Sequence, residues 1–130
     1  MKINLLQGAF ISLLAFPSFA GNDVYAVVDE LNIRSHSSNN DHQIYFRAKS
    51  ISDSSQYAPC IVDKASMVWR LDITSPVAKY QYELLLESYK HQRPVRLLGQ
   101  SDVCAEQNID SDVIFEISPW GWSELSNDEK

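Results

Sequence analysis

The sequence predicts an all-β domain with one helix, a small five-stranded barrel in the order β-β-β-α-β-β. Two observations carry this expectation. Apolar and polar residues alternate with period two before residue 74 and again after residue 94, the spacing that buries one face of a strand. Between them, Ser75-Pro76 opens a stretch whose apolar residues recur at helical spacing, and Pro94 closes it.

Val24 to Arg34, rich in Val, Leu and Ile, is the first strand, followed by a polar turn from Ser35 to His42. In the second, Ile44, Phe46 and Ala48 alternate with Tyr45, Arg47 and Lys49. Ser50 to Gln56 is a polar loop. Ala58 to Val62, together with Met67 to Ile73, makes the third extended region.

Ser75 caps free N–H groups, and Pro at the first helical position lacks the hydrogen that would go unpaired there, so the helix is expected from Pro76 to about His91. Its apolar residues form two stripes. Val77, Tyr80 and Leu84 make the narrower, and Ala78, Tyr82, Leu85, Leu86 and Tyr89 the broader. Lys79, Glu83, Glu87 and Lys90 separate them on one flank, with Gln81 and Ser88 on the other. One core needs one apolar face, so the broader stripe is expected to face the barrel and Val77, Tyr80 and Leu84 to form an oligomer interface. Exposed aromatics on a small monomer are the plain alternative.

Val95 to Gly99 is the fourth strand, and Val113, Phe115 and Ile117 alternate with Ile114, Glu116 and Ser118 in the fifth, after a polar loop from Gln100 to Ser111. The order fits an OB-like barrel over residues 21–123, with an acidic tail at 124–130. No internal repeat occurs.

Met1 to Ala20 reads as a secretory signal peptide: Lys2, an apolar run from Leu5 to Phe16, then Pro17, Ser18 and Ala20 spaced as a cleavage site. The run is shorter than the roughly 20 residues that span a bilayer, so no membrane span is expected and the mature chain starts at Gly21. Localisation is then secreted or periplasmic, where the only two cysteines, Cys60 and Cys104, are expected to pair as a disulfide. The full chain has 11 basic and 17 acidic residues, a net charge of −6. That balance, without a basic cluster, argues against nucleic acid as a partner.

Signatures of catalysis are missing. No G-x-S-x-G elbow, H-E-x-x-H helix or phosphate-binding glycine loop occurs, and the chain has only four glycines. His36, Asp41 and His42 sit in a turn built for backbone geometry, and His91 is placed to meet the last helix carbonyls, so no metal, no cofactor and no enzymatic activity are expected. Asp29-Glu30 occupy neighbouring strand positions that face opposite ways, unlike a glycosidase pair. The ligand-binding candidates are Trp120 and Trp122 in Pro119-Trp120-Gly121-Trp122, where two indoles around a glycine make an aromatic platform for a sugar ring or a partner, or else fold back to close the barrel end.

Tyr45-Phe46, Cys60, Val68-Trp69, a helix carrying Tyr82, Leu85 and Tyr89, and Arg93-Pro94-Val95-Arg96-Leu97 together resemble the receptor-binding B subunit of AB5 toxins of the subtilase-cytotoxin and typhoid-toxin type. The resemblance covers about Val24 to Leu97. It implies an OB fold, a homopentameric ring with helices around a pore, recognition of glycans or glycoproteins on cell surfaces, and a toxin A subunit as partner. Arg47 stands where the family has a Cys, and Gly99 where it places an aromatic near the sugar, so the family's glycan pocket is not carried over. Two functions follow: an exported glycan-binding ring subunit, or a monomeric periplasmic OB-fold protein that binds a small ligand or inhibits a protein partner.

Overall fold

A computed structural model describes residues 21–100 and 102–122. The signal segment and the acidic tail lie outside the described residues. The elements are β1 (Asp23–His36), β2 (Asp41–Ser50), β3 (Val68–Leu71), α1 (Ala78–His91), β4 (Val95–Gly99) and β5 (Ser111–Pro119). The strands close into a barrel in the order β1-β2-β3-β5-β4, with only the β3–β5 pair parallel. Mostly sheet, with one helix between β3 and β4, it is the small OB-like barrel that the sequence predicts.

Alternation fills the barrel. Val24, Ala26 and Val28 of β1, Phe46 of β2, Val95 and Leu97 of β4 are all fully buried, and Trp69 of β3 lies parallel to Phe46 with ring centroids 6.4 Å apart. Val103 enters the core from the 100–110 loop. Leu85 of α1 closes one side, with Ala78, Tyr82 and Leu84 packed partly against it.

Several boundaries differ from the sequence reading for identifiable reasons. The β1–β2 ladder continues to His36↔Asp41, so the turn is only residues 37–40, with Asn40 in the left-handed region at φ 53°. Ala58 to Val62 is a loop and not a strand. Ala58 and Ile61 are buried there, but their main chain is held by turns and by Asn22, whose Oδ1 accepts from Ala58 N at 2.8 Å. Helix α1 begins two residues later than expected: Ser75 Oγ accepts from Val77 N at 3.3 Å, which leaves Pro76 in the preceding turn. It ends as expected before Pro94, on Gln92 in the left-handed region, and Arg93 reaches back to Glu87 at 3.5 Å. His91 lies beside Glu87 at 4.0 Å rather than on the last carbonyls.

In β5 the alternation breaks. The register with β4 shifts between Leu98↔Glu116 and Gly99↔Ile114, leaving Phe115 as an extra residue that is 62% exposed, while Ile114 and Ile117 are buried. A second register shift, between Val28 and Glu30, explains the position of Ser88. Placed by periodicity on a polar flank of the helix, Ser88 is fully buried, and its Oγ accepts from Val28 N at 3.0 Å beside the bulge. Ser88→Ala leaves a buried N–H unpaired and is expected to cost about 1–3 kcal/mol in urea denaturation, whereas Ser54→Ala on the surface should cost little.

Candidate functional site

The wall of the barrel made by β1, β4 and β5 carries a continuous row of outward side chains. Tyr25 pairs with Arg96, and Arg96 with Ser118; alternation puts Asp23 and Trp120 on the same face. Arg96 is fixed there by Asp23: Nε donates to Oδ1 at 2.9 Å and Nη2 to Oδ2 at 2.8 Å. This paired geometry raises the Arg96 pKa above its ordinary value, so the guanidinium is a permanent cation. Its Cζ lies 5.5 Å from the centre of the Tyr25 ring, and the Trp120 ring lies 4.8 Å from Tyr25 at an angle of 50°.

Trp120 and Trp122 therefore part company. Gly121, with φ 74°, turns the chain so that Trp122 folds back, its Nε1 donating to Pro94 O at 2.6 Å under Arg93, whose Cζ stands 5.2 Å from the indole. Trp120 also donates its main-chain N–H to Pro94 O, at 3.1 Å, but its side chain stays 40% exposed. One indole closes the barrel end, and the other stands in the Tyr25–Arg96 row. An exposed indole face beside a fixed cation suits a flat, weakly polar ring with oxygen substituents.

The interface candidates are placed unequally. Val77 and Tyr80 are exposed, at 49% and 57%, whereas Leu84 is half-buried against the core. In the broader stripe Ala78, Tyr82 and Leu85 face the barrel, but Tyr89 is exposed. Phe115 lies next to this side of the helix, since Gln81 Nε2 donates to its carbonyl oxygen at 3.4 Å.

His36 and His42 do not meet. Ser35 pairs across the ladder with His42, and His36 with Asp41, which puts the two rings on opposite faces. Each instead hydrogen-bonds a serine, His42 to Ser35 at 2.8 Å and His36 to Ser38 at 2.9 Å. Among the described residues no group of three or more His, Cys, Asp or Glu gathers as a metal site. Of Asp29-Glu30, Glu30 is tied to Arg47 Nη1 at 2.7 Å, while Asp29 lines a groove of 540 Å³ beside β2.

Hydrogen bonds from Arg47 hold the Glu30 carboxyl below its ordinary pKa of 4.5, and those from Ser66 and Thr74 hold Asp63 and Asp72 below 3.8. A lowered folded-state pKa adds stability that is present above the unfolded value and lost as pH falls through the folded one. Melting temperature is thus expected to be flat from neutral pH to about 5 and to fall below 4.5, less steeply in Glu30→Gln.

Sequence reasoning missed Asp23, Tyr25 and Arg96. Asp23 and Tyr25 are two apart on one strand, a signal that was present. That Arg96 stands beside them depends on the β1–β4 pairing, which no local pattern announces. Cys60 and Cys104 are joined as expected, with Cα atoms 5.5 Å apart. No described helix is long and apolar enough to cross a membrane. Comparison with protein-family models, curated proteins and solved structures finds no match for the chain.

Proposed function

We propose that this chain is an exported, non-enzymatic binding protein that recognises cell-surface glycans as a ring oligomer, in the manner of an AB5 toxin B subunit acting with a toxin A subunit. One observation supports this most: the exposed Trp120 face, set against Tyr25 and beside an Arg96 immobilised by Asp23. The stacking surface and the cation are already positioned, so little side-chain ordering opposes binding. The disulfide agrees with an oxidising compartment. Exposed Val77 and Tyr80 supply the second helix face that a ring would cover.

A glycan array on the mature chain, with its mass measured in solution, tests ligand and assembly together. Trp120→Ala is expected to weaken glycan binding at least tenfold with an unchanged circular dichroism spectrum. A variant that binds as the wild type does removes the site. Tyr80→Glu is expected to dissociate the oligomer and leave the fold intact, because the side chain makes no core contact. A wild type that is monomeric at high concentration ends the ring reading and favours the monomeric periplasmic one.

A further inference from the structure

The β2 strand is longer than the partner on its outer side. It runs to Ser50, yet β3 pairs only with Ile44, Tyr45 and Phe46, so Arg47 to Ser50 are paired to β1 alone. The 51–67 segment that returns past them forms no strand beside them, and among the described residues no main-chain hydrogen bond joins it to residues 47–50. Side chains cross at the two ends: Arg47 Nε donates to Ser66 O at 3.3 Å, and Ser50 Oγ lies 2.8 Å from Ser55 Oγ and 3.3 Å from Ser52 O. The 540 Å³ groove lies along this open edge, between Ala48, Lys49 and Ser50 on one side and Tyr57, Lys64 and Ala65 on the other.

From these features we infer that the groove is a docking slot for an extended peptide, added as a strand to the free edge of β2 and carrying both an acidic and a basic side chain. Four residues of edge offer about 13 Å, room for four residues of extended chain. Only another extended main chain presents N–H and C=O groups at the repeat of a strand edge. Ala48, Ser50 and Ala65, which line the groove, have small side chains. Charge complementarity sets the composition: Lys49 and Lys64 face Asp29 and Asp53 around the groove, and none of the four has an ion-pair partner among the described residues. The half-buried Tyr57 ring, with Lys64 5.4 Å above it, forms an apolar patch for one side chain of the peptide.

The test uses the mature full chain and a fluorescein-labelled, end-capped hexapeptide alternating valine with aspartate and lysine, beside the same peptide N-methylated at alternate amides. The unmodified peptide is expected to bind with Kd below about 1 mM, to slow hydrogen exchange at the amides of Ala48 and Ser50, which point away from β1, and to weaken at least tenfold on N-methylation. Ala65→Trp, at an exposed position, should fill the slot and cost tenfold in affinity, and Lys64→Glu should cost several-fold. Trp120→Ala should leave peptide binding unchanged, so failure here is separate from failure of the glycan reading. Absence of binding, equal binding by the N-methylated peptide, indifference to Ala65→Trp, or displacement by a glycan selected on the array would each overturn the proposal, the last by showing a sugar site in its place.

Discussion

Replacing both cysteines, Cys60→Ala with Cys104→Ala, is expected to lower the stability of the folded domain by about 2–5 kcal/mol. The bond closes a separation of 44 residues, and tying the unfolded chain over that length restricts it by about 4 kcal/mol in the chain-entropy picture. The folded state adds a reason of its own. Cys60 sits in the 57–62 loop, which has no ladder to hold it yet buries Ala58 and Ile61; Cys104 follows Val103, a fully buried plug. One link thus fastens two irregular segments whose apolar residues complete the core. Cys60 N also donates to Cys104 Sγ at 3.2 Å. In a domain of about 100 residues a loss of this size lowers the melting temperature by at least about 8 °C. Urea denaturation of the double variant checks the free energy, and thiol titration of the unreduced, denatured wild type should find no free thiol. A double variant that melts with the wild type would show that the loops hold without their link.

Legibility in the sequence followed the range of the interactions. Strand alternation in β2 and β4 and the Ser75-Pro76 start signal are local, and they placed those elements to within two or three residues. The two register shifts were invisible, because a bulge is decided by what the neighbouring strand and helix require. Hence Phe115, expected to continue a simple alternation, lies outside, and Ser88, expected on a polar flank, lies inside to satisfy Val28 N. Ala58 to Val62 misled for a related reason. Its residues are apolar since they are buried, and burial in a loop looks like burial in a strand over five residues. The residues that carried the family resemblance are mainly barrel residues: Phe46, Trp69, Leu85, Val95 and Leu97 are all in the core. They speak for the fold. The outward residues among those that carried the resemblance, Tyr45, Tyr89, Arg93 and Arg96, do not include Trp120.

Gly99→Ala is expected to destabilise the domain by about 3–5 kcal/mol, although alanine is the smallest side chain that could be added. A Cβ at Gly99 would stand 2.6 Å from Asp112 Cγ and closer still to Oδ2. The carboxylate has nowhere to go. Asp112 is 1% exposed, Oδ2 accepts from Asn22 Nδ2 at 2.8 Å, and Oδ1 accepts from Val113 N at 2.7 Å. Asn22, itself fully buried, binds Ala58 N through Oδ1, while its main-chain oxygen accepts from Gly99 N at 2.8 Å. Moving Asp112 therefore disturbs the start of β1, the 57–62 loop, the end of β4 and the start of β5 together, and a buried carboxyl group parted from its hydrogen-bond donors is costly. The same crowding leaves no room at this position for any larger side chain, aromatic ones included. Gly121→Ala separates space from backbone strain. Gly121 has φ 74° but nothing within 4 Å of the added carbon, so its cost should be about 1–2 kcal/mol. Urea denaturation of the two variants side by side decides the matter: equal losses would mean that Asp112 yields easily, and that the Asn22–Asp112 network is looser than its short hydrogen bonds imply.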